Sequence, residues 1–258
     1  MHAAEPKTLP RFRDLLLHLA GREVRSKHRW TLLGWTWPLT RQLVQLGVLV
    51  FVFGALFDLG IENYAVFLFT GLVAFNWFSS GVADAASSLV TRRHFVFQPR
   101  FPSAVLPAVS VAVPFLDVLL ALPVLVAMLL ATGGLHAGAL LLLPLLAIQL
   151  VLMCGLGWLV AAATVYLRDV PNVVLVGLTL LFYMTPVFYG LEHVPRDLQR
   201  VLQANPLTTL IEAYRAVLLG QSGPEPVAVA IVAAGSVALA ATGLAVFRRL
   251  EPGFVDTL

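Results

Sequence analysis

Charge is scarce in this sequence: Asp, Glu, Lys and Arg make up 12% of its 258 residues, about half the roughly 25% of an ordinary soluble domain. Lysine is rarest among them. The two lysines, Lys7 and Lys27, do not follow glycine, so the Gly-Lys pair of a phosphate-cradling P-loop is missing and ATP hydrolysis by that route is excluded. A single cysteine, Cys154, lies within an apolar stretch. It excludes an intrachain disulfide and a cysteine metal cluster, and reads as a small packing residue. His2, His18, His28, His94, His136 and His193 are scattered. Neither a His-Glu-x-x-His metal pair nor a Gly-x-Ser-x-Gly nucleophile elbow occurs, which argues against an intramembrane protease or hydrolase.

What the chain does have is apolar length. Hydrophobic residues make up 59% of it and mean hydropathy is +0.87, against about 45–50% apolar in soluble domains. A helix needs about 20 mostly apolar residues to cross the ~30 Å hydrocarbon core. Runs that satisfy this lie near 39–57, 64–85, 104–131, 139–167, 173–189 and 227–247. Breakers separate them: Asp58 and Gly60, Gln98 to Pro102, Gly133 and Gly134, Pro171 and Asn172, Gly220 to Pro226, as turn chemistry requires. The expectation is an all-α integral membrane protein of about six transmembrane helices, with a cytoplasmic segment over 1–37 and a membrane domain over 38–258.

Orientation follows from Lys and Arg, which are retained on the cytoplasmic side. Lys7, Arg11, Arg13, Arg22, Arg25, Lys27, Arg29 and Arg41 precede or open the first run. Arg92, Arg93 and Arg100, then Arg168, then Arg248 and Arg249 fall on the same side if the spans alternate. On the other side only the last connection carries arginine, at Arg196, Arg200 and Arg215. Met1 to Pro10 has no apolar core of a secretory signal. Both termini are therefore expected in the cytoplasm. Between Arg11 and Trp30, Phe12, Leu15, Leu16 and Leu19 recur at helical spacing opposite Arg13, Asp14, His18, Arg22, Arg25 and Arg29. That pattern predicts an amphipathic helix on the inner leaflet, or a plain positive-inside anchor.

The stretch between Tyr189 and Val227 is too polar to span and too apolar for an ordinary loop. Its apolar part, from Leu207 to Leu219, has a length that suggests a re-entrant helix, and a second short helix is expected over 194–203. Backbone turns back at membrane depth only where protein or a water-filled cavity satisfies its polar groups, which implies a pathway near the outer face.

Several residues stand out as candidates. Asp117 is an intramembrane carboxylate, costing about 2.5–3.5 kcal/mol on insertion scales. It reads as a lining residue or as a hydrogen-bonded structural one. Tyr64, Phe67, Phe69, Phe75, Trp77 and Phe78 crowd the second run. They form an interfacial belt or, with Tyr183, a channel surface that stacks on sugar rings. The 87–103 loop combines Arg92, Arg93 and Arg100 with Phe95, Phe97 and Phe101, a composition that suits a docking element as well as a basic loop dipping into the interface. Glu212 and Arg215, three apart, are expected to pair on one helical face; the alternative is a role at an exit gate.

Taken together these features resemble the permease subunit of bacterial ABC-type polysaccharide exporters, the family of the Wzm-type O-antigen and teichoic-acid permeases. The resemblance extends over nearly the whole chain. It is carried by the basic run from Arg22 through Arg25, Lys27 and Arg29 to Leu33, Gly34 and Trp37, where His28 replaces a more usual tyrosine. It continues in Phe115-Leu116-Asp117 and Tyr166-Leu167-Arg168-Asp169-Val170. The most recognisable signatures are Thr185-Pro186-Val187-Phe188-Tyr189 and Asn205-Pro206-Leu207-Thr208-Thr209-Leu210-Ile211-Glu212-Ala213-Tyr214-Arg215.

The resemblance implies a homodimer of permeases in the bacterial inner membrane, with two cytoplasmic ATPase subunits that hold the ATP and Mg, and no cofactor or nucleic acid on this chain. It implies a coupling helix in the 87–103 loop (Arg92, Arg93, Phe95, Phe97, Arg100) and re-entrant helices near the outer mouth with Asn205, Glu212 and Arg215 as gate candidates. The implied cargo is a glycan on a polyprenyl diphosphate. Guanidinium groups donate paired hydrogen bonds to such oxygens, so Arg25, Lys27, Arg29 and Arg41 are the headgroup candidates. Their other reading is topology plus attraction to anionic lipid. A membrane-embedded enzyme on lipid-linked sugars, and a small-lipid or drug exporter permease, are the competing functions. The first needs convergent acid–base or metal-binding residues, yet Asp169, Glu192, His193 and Asp197 divide between opposite sides.

Overall fold

The computed structural model describes residues 19–21, 36–57, 59–98, 101–133 and 141–257. Most of the predicted amphipathic helix lies outside these residues, as do Arg25, Lys27, Arg29 and Arg100. Every regular element among the described residues is helical. Five helices are long and apolar enough to cross a membrane, so the chain is a multi-pass, all-α membrane protein.

The first span is α1 (Trp37–Leu49), which Pro38 opens, continued by a π-helical stretch Val50–Leu56. The second, α2 (Tyr64–Thr91), runs past the predicted 85 to the first arginine of the loop. It is the axis of the protein, with 78% of its apolar window buried against 11% for the first span. A four-residue helix α3 (Arg93–Val96) follows.

The span predicted over 104–131 is present as Val105–Thr132, interrupted once so that it consists of α4 (Val105–Ala112) and α5 (Phe115–Thr132). The break falls at Pro114, which supplies no N–H to the helical ladder, while Val113 before it keeps helical geometry at φ −61° and ψ −43°. Asp117 thereby lies in the first turn of α5, where the partial positive charge of a helix start favours a carboxylate.

Next, α6 (Leu142–Tyr166) packs on α10 (Pro226–Leu250) through glycine. A Cβ on Gly155 would come within 2.8 Å of the backbone at Leu239 and Ala240. Small residues permit this approach between helices in lipid, where packing replaces the hydrophobic effect as the force of association.

The predicted run 173–189 is corrected most. It forms α7 (Val170–Met184), 15 residues long, about 23 Å at 1.5 Å per residue and short of the ~30 Å core. Pro186 is the cause, because the residue before a proline is driven to extended geometry, and Thr185 has φ −102° and ψ 134°. The chain then makes a 3₁₀ turn at Leu191–His193, α8 (Arg196–Gln203) and α9 (Pro206–Leu219), in agreement with the short helices expected there. A last turn, α11 (Phe254–Thr257), follows α10.

One end of the bundle gathers the basic loops. Leu89, Val96, Leu106, Ala161, Val165, Phe247 and Phe254 form a buried cluster there, so α3, the ends of α2, α6 and α10 and the start of α4 share a single base. Trp158 Nε1 donates to Ala104 O (2.9 Å), Tyr166 Oη to Leu250 O (3.2 Å), and the Ser103 amide to Glu251 Oε1 (3.1 Å).

Candidate functional site

At the opposite end the backbone from Thr185 to Tyr189 leaves helical geometry beside the core of α2. In lipid each unsatisfied peptide group costs several kcal/mol, so side chains must replace the lost helical bonds. Three elements do so. Thr185 closes on α7 through Oγ1 to Leu181 O (2.7 Å) and accepts from Asn205 Nδ2 (2.9 Å). Asn205 also caps α9, its Oδ1 accepting from the Leu207 amide (3.0 Å) ahead of Pro206, the arrangement preferred at helix starts. From α2, Tyr64 Oη donates to Phe188 O (2.8 Å).

Arg215 of α9 supplies the third clamp. Its Nη1 donates to Pro186 O and Nη2 to Val187 O, both at 2.7 Å, while Nε reaches Phe67 O at 3.3 Å. The guanidinium carbon sits 3.4 Å from the centroid of the Phe67 ring, a cation–π contact strengthened by loss of water. Arg215 is 3% exposed. The planar fork of arginine fits two adjacent carbonyls as lysine cannot. Space for it comes from Gly71, where a Cβ would stand 2.9 Å from Nη2 and 3.1 Å from Val187 O.

The expected Glu212–Arg215 pair is therefore corrected: the guanidinium turns to carbonyls of other segments, and half-buried Glu212 makes no ion pair with it. Exchanging a surface pair worth a few tenths of a kcal/mol for buried charge-assisted hydrogen bonds follows from burial, where an unpaired guanidinium is far more costly. Asn205 and Arg215 converge on one segment; Glu212 does not.

The aromatic candidates divide. Phe67, Phe75, Trp77 and Phe78 are between 2 and 4% exposed, which corrects the expectation of a belt or a channel surface in this protomer. They are core: Phe75 meets Phe182 edge-on at 5.2 Å, and Trp77 packs 5.1 Å from Phe115. Half-buried Tyr64 and exposed Tyr183 stay at the surface, Tyr183 edge-on to Phe182 at 5.5 Å.

Sequence reasoning passed over Gln149, the single amide in α6. It is fully buried, donating Nε2 to Ala74 O (2.8 Å) and accepting from Tyr214 Oη (2.9 Å). One side chain thus joins α2, α6 and α9. A lone glutamine in so apolar a run was the available signal, since polar groups inside membranes have partners.

At the basic end, Arg93, His94 and Phe97 of the predicted docking loop are exposed, Phe97 by 48%. Phe95 is half-buried and stacks on Phe101 at 5.2 Å. Arg92 turns inward, Nη1 donating to Ser110 Oγ at 2.8 Å. Arg41 is exposed on the first turns of α1. Among the described residues no group of His, Cys, Asp or Glu could hold a metal ion.

Five spans, a short sixth apolar helix and two partial helices bracing a non-helical turn define a multi-pass, all-α membrane protein. The model for ABC-2 type transporters matches residues 14–219, and the chain belongs to that family. It is similar to the O-antigen export system permease protein RfbA of Myxococcus xanthus, 30% identical over 255 residues and 98% of each chain. Two O-antigen export system permease proteins RfbA from Klebsiella pneumoniae are 26% identical over 248 residues, 95% of each chain.

Proposed function

We propose that this chain is the channel-forming subunit of an ATP-driven exporter that moves a polyprenyl-diphosphate-linked polysaccharide, such as an O-antigen, from the cytoplasmic to the outer face of the bacterial inner membrane. The observation that carries this is the end-to-end similarity to an O-antigen export permease, 98% of both chains, which leaves no part of the fold without a counterpart. Two copies form the conduit, and α7, with exposed Val173, Val176, Leu180 and Tyr183, supplies apolar surface for the partner copy. Two cytoplasmic ATPase subunits hold ATP and Mg and grip α3 with its exposed Arg93 and Phe97. Both termini lie in the cytoplasm.

The diphosphate headgroup enters beside Arg25, Lys27, Arg29 and Arg41. A carboxylate at Asp117 is retained as a structural group at the start of α5, and Asn205 and Arg215 hold the outer turn against which the conduit opens. The test is co-purification with a cytoplasmic ATPase subunit and measurement of ATP turnover. Turnover that rises on adding a polyprenyl-linked glycan supports the reading. An ATPase that fails to bind the chain, or one indifferent to the glycan, refutes it.

A further inference from the structure

Three buried side-chain atoms among the described residues have no hydrogen-bond partner: Gln42 Oε1, Trp77 Nε1 and Thr208 Oγ1. Such atoms are few in native proteins, and each needs a physical reason. Gln42 is notable because a second glutamine of the same helix, Gln45, is hydrogen-bonded across to α2. Gln42 is 2% exposed on α1. Gln45, three residues on and hence on the same helical face, accepts from Asn76 Nδ2 of α2 at 3.2 Å. Because α1 and α2 are consecutive antiparallel spans, Gln42 lies toward the basic end, level with half-buried Ser79 and Ser80 one turn beyond Asn76. The two helices thus meet along a polar seam in the middle of a membrane protein.

The seam joins the most buried span to one of the least buried. Besides Gln42, α1 buries only Leu46, and the helix passes into the π-helical stretch Val50–Leu56, a winding frequent at functional sites. An apolar seam would pack as closely and leave no unpaired acceptor. Amides offer two donors and two acceptor sites each, the equipment that binds hydroxyl groups of a sugar in any orientation.

We propose that this seam is a carbohydrate subsite, closed in the present conformation: as α1 separates from α2, the amides of Gln45 and Asn76 exchange their hydrogen bond to each other for hydroxyl groups of the passing glycan, and the unpaired Gln42 acceptor gains a donor from the same groups. The inference rests on the exporter reading above and names the residues that would take the cargo. Hydrogen bonds are exchanged one for another, so the helices part without stranding polar groups in lipid, and sequence-tolerant binding suits a polymer that must slide.

The test uses the full chain with its ATPase, in cells deleted for their own O-antigen permease, with surface glycan as readout. Replacing both partners of a hydrogen bond by apolar groups is nearly neutral for stability. A merely structural seam therefore predicts that the double variant Q45L/N76L exports normally. A subsite predicts at least tenfold less surface glycan at unchanged amounts of membrane-inserted, ATPase-bound protein. The single variant Q42L sharpens this, since it removes an unpaired buried acceptor. It should raise the melting temperature of the purified complex while export falls; raised or unchanged stability with full export overturns the proposal.

Should Q45L/N76L not accumulate, Gln45→Cys and Asn76→Cys in a Cys154→Ala background can be bridged by a reducible thiol cross-linker. Export blocked by the bridge and restored by reductant supports the opening seam; export indifferent to the bridge sinks it. A wild-type chain that restores no surface glycan fails differently, by removing the exporter reading itself.

Discussion

Arg215 and Val187, 28 residues apart in sequence, are joined by a 2.7 Å hydrogen bond from Nη2 to the carbonyl oxygen. Through that bond and its neighbour to Pro186, α9 holds the turn that ends α7. The cation does structural work that helical hydrogen bonds would do elsewhere.

Arg215→Leu leaves the carbonyls of Pro186 and Val187 without donors, and each unsatisfied buried group costs about 1–3 kcal/mol. The variant is expected to lose most of its detergent-extractable monodisperse protein and several degrees of melting temperature, as read by size exclusion with thermal challenge. Arg215→Lys keeps the charge but serves one carbonyl at a time, so its loss should be intermediate. Equal behaviour of both variants and the wild type would remove the clamp.

Gly71 and Gly47 provide a matched pair on two spans. A Cβ at Gly71 meets Arg215 Nη2 and Val187 O, whereas nothing lies within 4 Å of one at Gly47. Gly71→Ala should destabilise by about 1–3 kcal/mol through overpacking, and Gly47→Ala should be neutral or stabilising by up to about 1 kcal/mol. The comparison is read from the two melting temperatures.

Gln149 and Tyr214 are expected to couple. Gln149→Leu leaves the Tyr214 hydroxyl buried without its acceptor, while Tyr214→Phe added to it removes that orphan. The double variant should therefore be more stable than Gln149→Leu alone, with an interaction energy of about 0.5–2 kcal/mol in a double-mutant cycle. Strict additivity would show that the hydroxyl has another partner.

Asn205→Asp separates two roles of one residue. The carboxylate still caps the Leu207 amide, but no longer donates to Thr185 Oγ1. Asn205→Ala loses both, at about 1 kcal/mol for the cap alone. The expected order of stability is wild type, then Asp, then Ala; reversal of the last two would place the whole effect on burial of charge.

Sidedness is open to direct labelling. A cysteine at exposed Phe97 in a Cys154→Ala background should react with a membrane-impermeant maleimide in inverted vesicles and resist it in intact cells. The reverse pattern would place α3 outside and end the ATPase-docking scheme.

Hydropathy is a local property of the chain, and it was enough to predict a bilayer as solvent, the first four spans and the last, and the pair of short helices before that last span. The family signatures Thr185 to Tyr189 and Asn205 to Arg215 were also legible as sequence. Their relation was not. That Asn205 meets Thr185 and Arg215 meets Val187 depends on which helices face each other, which spacing along one helix does not encode; the same spacing predicted a Glu212–Arg215 pair that burial overrides. The Phe67, Phe75, Trp77 and Phe78 rings illustrate the rest. An apolar residue reads alike in lipid, core or channel because all three are apolar surroundings, and only the packing of α2 inside the bundle decided that these four are core.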